Sequence, residues 1–280
     1  MRGLRRLRKL ARVAVGVYVK EMRIWFRYPS WLLTFAALPY MVSGLFNGVG
    51  YSIAGPKAFE NFAKNTGVSN PFLFYTLGTA LLIASQLILQ DTASSIRSEQ
   101  LMGTFELHYL TPTPTYIIWL LHIFPHFTVT MMVLLAATLP ILAYSGAIIS
   151  PLDILYASVV LLLGMLPLLG ISLVLASLVV RYKEPWALIN VVQSIISLLS
   201  GYFYPLTVFP EWVRILAQVV PTSHVVEILR EVFLFNRGIA LSDSRILLLL
   251  TLLLVYPIVG LMFYMRWERI ARRRGELSKY

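Results

Sequence analysis

Two histidines, His122 and His126, stand four residues apart in an apolar run, a spacing that puts both on one face of a helix. Such a pair can hold a metal ion or relay a proton. No third ligand lies nearby in the sequence and Pro125 intervenes, so hydrogen bonding to another helix is the expected role. His108 and His224 stand alone, and nothing in the sequence gives them a catalytic part. Carboxylates are equally scarce where chemistry would need them: Asp91 and Asp153 fall at the edges of apolar runs, with no Asp or Glu in their middles. An ion-coupled secondary transporter needs a carboxylate there to tie ion binding to movement, and a membrane-embedded lipid or glycan transferase needs a clustered acidic or histidine site. Both remain alternatives without residues of their own. GxxxxGK[ST] and HExxH motifs are missing, so neither a P-loop nor a zinc-protease site is expected.

The charge that does occur is concentrated. Arg97 to Pro114, RSEQLMGTFELHYLTPTP, carries Arg97, Glu99 and Glu106 between two apolar runs and is punctuated by Gly103, Pro112 and Pro114. Gly103 suits the residue just past a helix, in a left-handed turn. Thr104 can cap a new helix, with Glu106 in its first turn against the positive dipole end. That helix, Phe105 to about Leu110, must stop before Pro112. Six or seven residues do not hold a helix alone in water, so it needs a surface to pack on, and Phe105, Leu107, Tyr109 and Leu110 offer the apolar contacts.

These residues must be positioned by a membrane-type framework. The 280 residues are 58% hydrophobic and only 13% charged, against about a quarter charged in soluble domains. Without cysteine, disulfides and thiolate metal sites are excluded. Six segments approach the roughly 20 apolar residues a crossing helix needs: 31–49, 72–90, 116–144, 154–180, 186–204 and 246–265. Pro125, Pro140 and Pro167 lie inside the third and fourth, which are long enough to kink. Six crossings put both termini on one side. That side receives 18 of the 24 Lys and Arg residues, which places it in the cytoplasm together with 97–114. The net charge of +11 therefore points to anionic lipid headgroups at the basic ends, not to nucleic acid. The apolar run 13–19 is cut off by Lys20 and Glu21 with no small-residue cleavage site, so no signal peptide is expected.

Residues 4–27 predict an amphipathic helix in the cytoplasmic interface, with Leu4, Leu7, Ala11, Ala14, Tyr18, Met22 and Trp25 on one side and seven basic residues on the other. Glu21 falls on the apolar side, where it needs a contact with a partner or the bundle, snorkelling, or a local arginine, the last two being favoured. Pro29 ends the helix. On the external side, YPLTVFPEWVRILAQVVPTSHVVEILREVFLFNRG is apolar yet split by Pro210 and Pro221. Its halves, about 211–219 and 223–235, are too short to cross and predict two helices that dip back to shield the outer mouth. The 50–70 loop leaves no room for a large extracellular domain.

Taken together, these residues resemble the ABC-2 type permeases, the transmembrane subunits of ATP-binding-cassette exporters. The likeness rests on Glu99, Gly103, Thr104, Glu106, Leu107, Leu110, Thr111 and Pro112 in order. It rests also on Gly201, Pro205, Pro210, Trp212, Pro221, Thr222, Glu227 and Arg230, and on the basic KEMRIWFRYP stretch. The resemblance implies an all-α integral membrane domain over 1–280: six crossing helices, an N-terminal interface helix, a cytoplasmic coupling helix in 97–114 and two re-entrant helices within 205–237. It implies that Glu99, Gly103, Thr104, Phe105, Glu106, Leu107, Thr111 and Pro112 seat in a separate ATPase subunit. That partner, in two copies, would bind the ATP and Mg²⁺, this chain holding no cofactor, catalytic residue or metal. A second permease copy, most simply a homodimer, would complete an exporter in the cell membrane. Gly201, Pro205, Pro210, Trp212, Pro221, Glu227 and Arg230 would form the external gate, with Glu227 and Arg230 paired at i, i+3. The aromatic positions Tyr40, Phe46, Tyr51, Phe74, Tyr75, Tyr202 and Phe203 could line a path for an amphipathic drug, lipid or glycan-like substrate.

Overall fold

A computed structural model describes residues 2–145, 150–182, 185–235 and 243–274, and the chain is all-helical, with no strand among them. Pro29 makes the first decision. Helix α1 (Arg2–Arg27) stops two residues before it, and α2 (Pro29–Ala54) begins with the proline, whose missing N–H costs nothing in the first helical turn. Gly55, at φ 58°, ends α2 and leads into α3 (Lys57–Thr66), an amphipathic helix where the sequence suggested only a short loop. Asn70 then caps α4 (Pro71–Leu101) by accepting the Leu73 amide at 3.0 Å. At 1.5 Å per residue, its 31 residues extend about 46 Å, well beyond the roughly 30 Å hydrocarbon core.

The third apolar segment is two helices, α5 (Thr115–Leu121) and α6 (Ile123–Tyr144), broken at His122. Pro125 has no N–H for the Leu121 carbonyl, and its ring crowds that carbonyl. Then follow α7 (Pro151–Tyr182), α8 (Pro185–Ser200), α9 (Glu211–Ala217), α10 (Pro221–Phe235) and α11 (Ser244–Arg274). Five stretches are long and apolar enough to cross a membrane: Pro29–Ala54, Pro71–Gln90, Thr115–Tyr144, Pro151–Leu178 and Ser244–Arg273. The sixth, in α8, is shorter than the sequence suggested. Gly201 adopts φ 67° and stops the helix at Ser200, so 16 residues cover about 24 Å.

Helix α4 is the most buried crossing and α7 follows it, while α2 and α11 lie at the periphery. Helix α4 packs against α2, α6, α7, α8 and α10, and the core clusters on it through Leu77, Leu81, Ile88 and Ile96. The most extensive pairing is α7 with α11, closed at a glycine crossing. A Cβ on Gly260 would lie 2.2 Å from the Gly170 carbonyl oxygen, so the two backbones meet there without side chains between them. Prolines interrupt four of the crossings internally (Pro39, Pro140, Pro167 and Pro257), but none lies inside α4. The start of α5, the end of α11 and α1 all gather with residues 97–114 at one end of the bundle, the basic end.

Candidate functional site

At the basic end, the chain leaves α4 through Met102 and a left-handed Gly103 (φ 68°) into a 3₁₀ segment, Phe105–Leu110. The segment is 3₁₀ where the sequence suggested α, a common solution for a single tight turn. Thr104 does not cap it. Its hydroxyl and its amide turn back to the Glu99 carbonyl, at 3.3 and 3.0 Å, and close the left-handed turn. Phe105 is only 1% exposed and meets the Tyr109 ring edge-on at 5.5 Å. Leu107 and Leu110 point outward, 57% and 81% exposed. The four apolar side chains thus divide, two anchoring the turn and two presented on its surface. Thr111 ends the segment, its hydroxyl donating to the His108 carbonyl at 2.7 Å, and Pro112 follows, exposed. The Glu106 side chain lies outside the described residues.

Glu99 is buried and holds three elements together. One oxygen takes the Lys20 ammonium from α1 at 3.3 Å, and the other meets His108 Nε2 from the 3₁₀ segment. Burial works against the Glu99 charge, but the His108 hydrogen bond and the Lys20 ammonium outweigh it and hold the carboxyl below its ordinary range. His108, which the sequence left alone, is therefore a partner of Glu99. Its ring lies 5.5 Å from that of Trp119, whose indole N–H donates to the Tyr264 hydroxyl at 3.0 Å. From α11, Arg272 covers the Tyr109 ring at 4.4 Å and bonds Glu268, which also accepts from Thr115 at 3.1 Å. Lys20, His108, Trp119, Glu268 and Arg272 complete this surround, and none was assigned a place in it by sequence reasoning.

Glu21 also finds other partners than the expected arginine. Its Oε1 lies 3.5 Å from both Lys20 Nζ and His122 Nε2. Burial opposes its charge, and the nearby His122 ring with the Lys20 ammonium overcomes that and keeps the carboxyl low. His122 Nδ1 contacts the Ile118 carbonyl of its own helix at 2.9 Å, so one of its two contacts is interhelical and the other local. His126 is buried with its ring 6.3 Å away. Among the described residues, no three His, Cys, Asp or Glu side chains cluster as metal ligands.

The opposite end holds the other set. After Gly201 and Pro205 come a 3₁₀ turn at Leu206–Val208, then Pro210, α9 and α10. Helix α9 carries Trp212 65% exposed, whereas α10 starts at a buried Pro221 and is buried along nearly its whole length. Arg230 does not pair with Glu227. Its Nη2 donates to the Tyr202 carbonyl at 2.7 Å and its guanidinium stacks 3.7 Å from the Phe74 ring centre, drawing it away from the i−3 position. The same carbonyl approaches α4 so closely that a Cβ on Gly78 would lie 1.8 Å from it. Arg245 instead joins α10 to the start of α11, bonding Glu231 at 2.5 Å and Asp243 at 2.6 Å.

Of the aromatic positions, Phe46, Phe74, Tyr75 and Phe203 come together. Phe46 stacks on Tyr75 at 4.9 Å and meets Phe203 at 5.2 Å, and Phe62, unflagged by sequence, joins them at 5.2 Å from Phe74. Tyr40 is apart, its hydroxyl on the Ala136 carbonyl, and Tyr51 faces Phe59. Tyr202 is wholly buried and lines no open path.

The family model described as "ABC-2 type transporter" matches residues 16–234, a span that holds residues 97–114 and 201–230 but not the α11 residues that pack on them. The comparison with curated proteins gave no match.

Proposed function

Because the chain belongs to the ABC-2 type transporter family, we propose that it is the transmembrane permease subunit of an exporter driven by a separate ATPase. The observation that carries this reading is the short 3₁₀ segment. A six-residue turn is anchored from within by Phe105 and Glu99, yet it presents Leu107 and Leu110 outward, both largely exposed. Apolar side chains on a braced projection suit a groove in another protein. Glu99, Gly103, Thr104 and Phe105 would set its geometry, while Glu106, Leu107, Thr111 and Pro112 would meet the ATPase. ATP and Mg²⁺ would bind that partner, consistent with a sequence without a P-loop.

Two permease copies, most simply identical, and two ATPases would form the working unit. The chain as a whole, 1–280, is read as one such domain. The basic end would face the cytoplasm of the cell membrane, as its excess of Lys and Arg favours. The external gate would be α9, α10 and the Gly201–Pro210 turn, with an amphipathic substrate moving outward past Phe46, Tyr75 and Phe203. The absence of native cysteine makes the test direct. Glu106→Cys should cross-link to a cysteine placed in the partner ATPase groove, and Lys57→Cys should not. ATPase docking that survives deletion of residues 104–110 would sink the assignment.

A further inference from the structure

Glu21, held by Lys20 and His122, has no part in the permease reading. It forms part of the wall of a cleft of about 290 Å³ where α1, α2, α4 and the start of α8 converge at the basic end. Five aromatic rings line that cleft: Trp25 and Tyr28 from the end of α1, Trp31 and Phe35 from α2, and Trp186 from α8. Phe35 holds the first two elements in register, with its ring 5.9 Å from Trp25 and 5.8 Å from Trp31. Trp186 stands 59% exposed at the margin, and Gln90 supplies an amide from α4.

Among the described residues, the single charged group on the wall is a carboxylate, which favours a cation. Lys20 is shared between Glu21 and Glu99, and each carboxylate has a histidine as its second contact, His122 and His108 respectively. Arg23 and Arg27, on the same helix, do not line the cleft. Aromatic faces attract cations through their ring quadrupole, most strongly when water is excluded, and indole does so best. An anionic headgroup would bring a phosphate toward Glu21 and be repelled, and acyl tails would gain nothing from a carboxylate. We propose that this cleft is a binding site for a lipophilic organic cation drawn from the adjoining leaflet. Its part as the cargo site rests on the permease reading above; the binding itself does not.

The test uses the whole chain in lipid nanodiscs and equilibrium binding of radiolabelled tetraphenylphosphonium, with empty discs subtracted. Radiolabelled tetraphenylborate, of the same shape and opposite charge, is measured in separate samples. Saturable binding of the phosphonium, with none of the borate, is the expected result. Glu21→Gln should weaken it about tenfold and Trp186→Leu about threefold. Because Glu21 also contacts two neighbours, each variant is melted thermally. Trp186→Leu should melt as the parent does and carries the result if Glu21→Gln unfolds. Unsaturable binding, equally tight binding of the borate, or parental affinity in Trp186→Leu would overturn the site. In vesicles with the docked ATPase, absence of ATP-driven phosphonium movement would remove the cargo role and leave the binding site. Failure of the ATPase to dock would count against the permease reading alone.

Discussion

Truncating Phe105 to alanine separates the anchoring of the 3₁₀ segment from its docking. The ring is 1% exposed and packs edge-on against Tyr109, so removing it leaves a cavity. Losses of this kind cost about 3–5 kcal/mol. A six-residue turn has little stability of its own, and the loss therefore falls on local opening while the bundle beneath stays folded. At about 1.4 kcal/mol per decade, opening of the segment should become roughly a hundred- to several-thousand-fold more frequent. Hydrogen exchange reads this directly. The Leu107 amide, bonded to the Thr104 carbonyl at 3.0 Å, and the Thr111 amide, on the His108 carbonyl at 3.3 Å, should lose protection by that factor. Amides in the middle of α4 should not change. Leu110→Ala is the counterpart. At 81% exposure it should leave exchange unchanged, yet weaken association with the ATPase. Equal protection in Phe105→Ala and the parent would refute the claim that this ring holds the segment, and full ATPase-coupled activity in both variants would refute the division of labour.

The Glu99 contacts give a signed pH dependence. Its carboxyl is held below the ordinary value, so its contribution is fully present above the unfolded value of about 4.5 and is lost as pH falls through the lower folded one. Protection of Leu107 should stay level from pH 7 to about 5 and decline only below, and Glu99→Gln should abolish that acid decline; a decline beginning near pH 6 would contradict it. At the other end, Arg230→Lys keeps the charge but loses the planar stack on Phe74 and the directed bond to the Tyr202 carbonyl. It should cost roughly 1–3 kcal/mol, read as a lower melting temperature in detergent, and an unchanged melt would count against the lock.

Local chemistry made part of this legible from sequence. Gly103, Pro112 and Pro29 punctuate the chain through backbone rules that need no tertiary knowledge, so the limits of the Phe105–Leu110 segment and the break after α1 follow from residue type. Pro210 and Pro221 did the same for α9 and α10. What escaped depends on which distant residues meet. His108 reaches Glu99, nine positions earlier, because the Gly103 turn folds the chain back. Arg272 reaches Tyr109 only because α11 packs beside α5. Arg230 has an i−3 carboxylate in the sequence, but a carbonyl and an aromatic face in three dimensions gave it a better site. The 57–66 stretch is charged and short, and its helix is closed by Gly67 in the left-handed region, a signal present but weak.

The missing proline in α4 has a mechanical consequence. The other long crossings contain a soft point where a proline leaves a hydrogen bond unmade, and each can absorb a displacement by bending there. Helix α4 has no such joint between Phe74, clamped beneath Arg230, and Glu99, gripped by His108 and Lys20, about 38 Å along its axis. In a helix without a proline hinge, a shift imposed at one end is expected to reach the other with less loss to bending than along its neighbours.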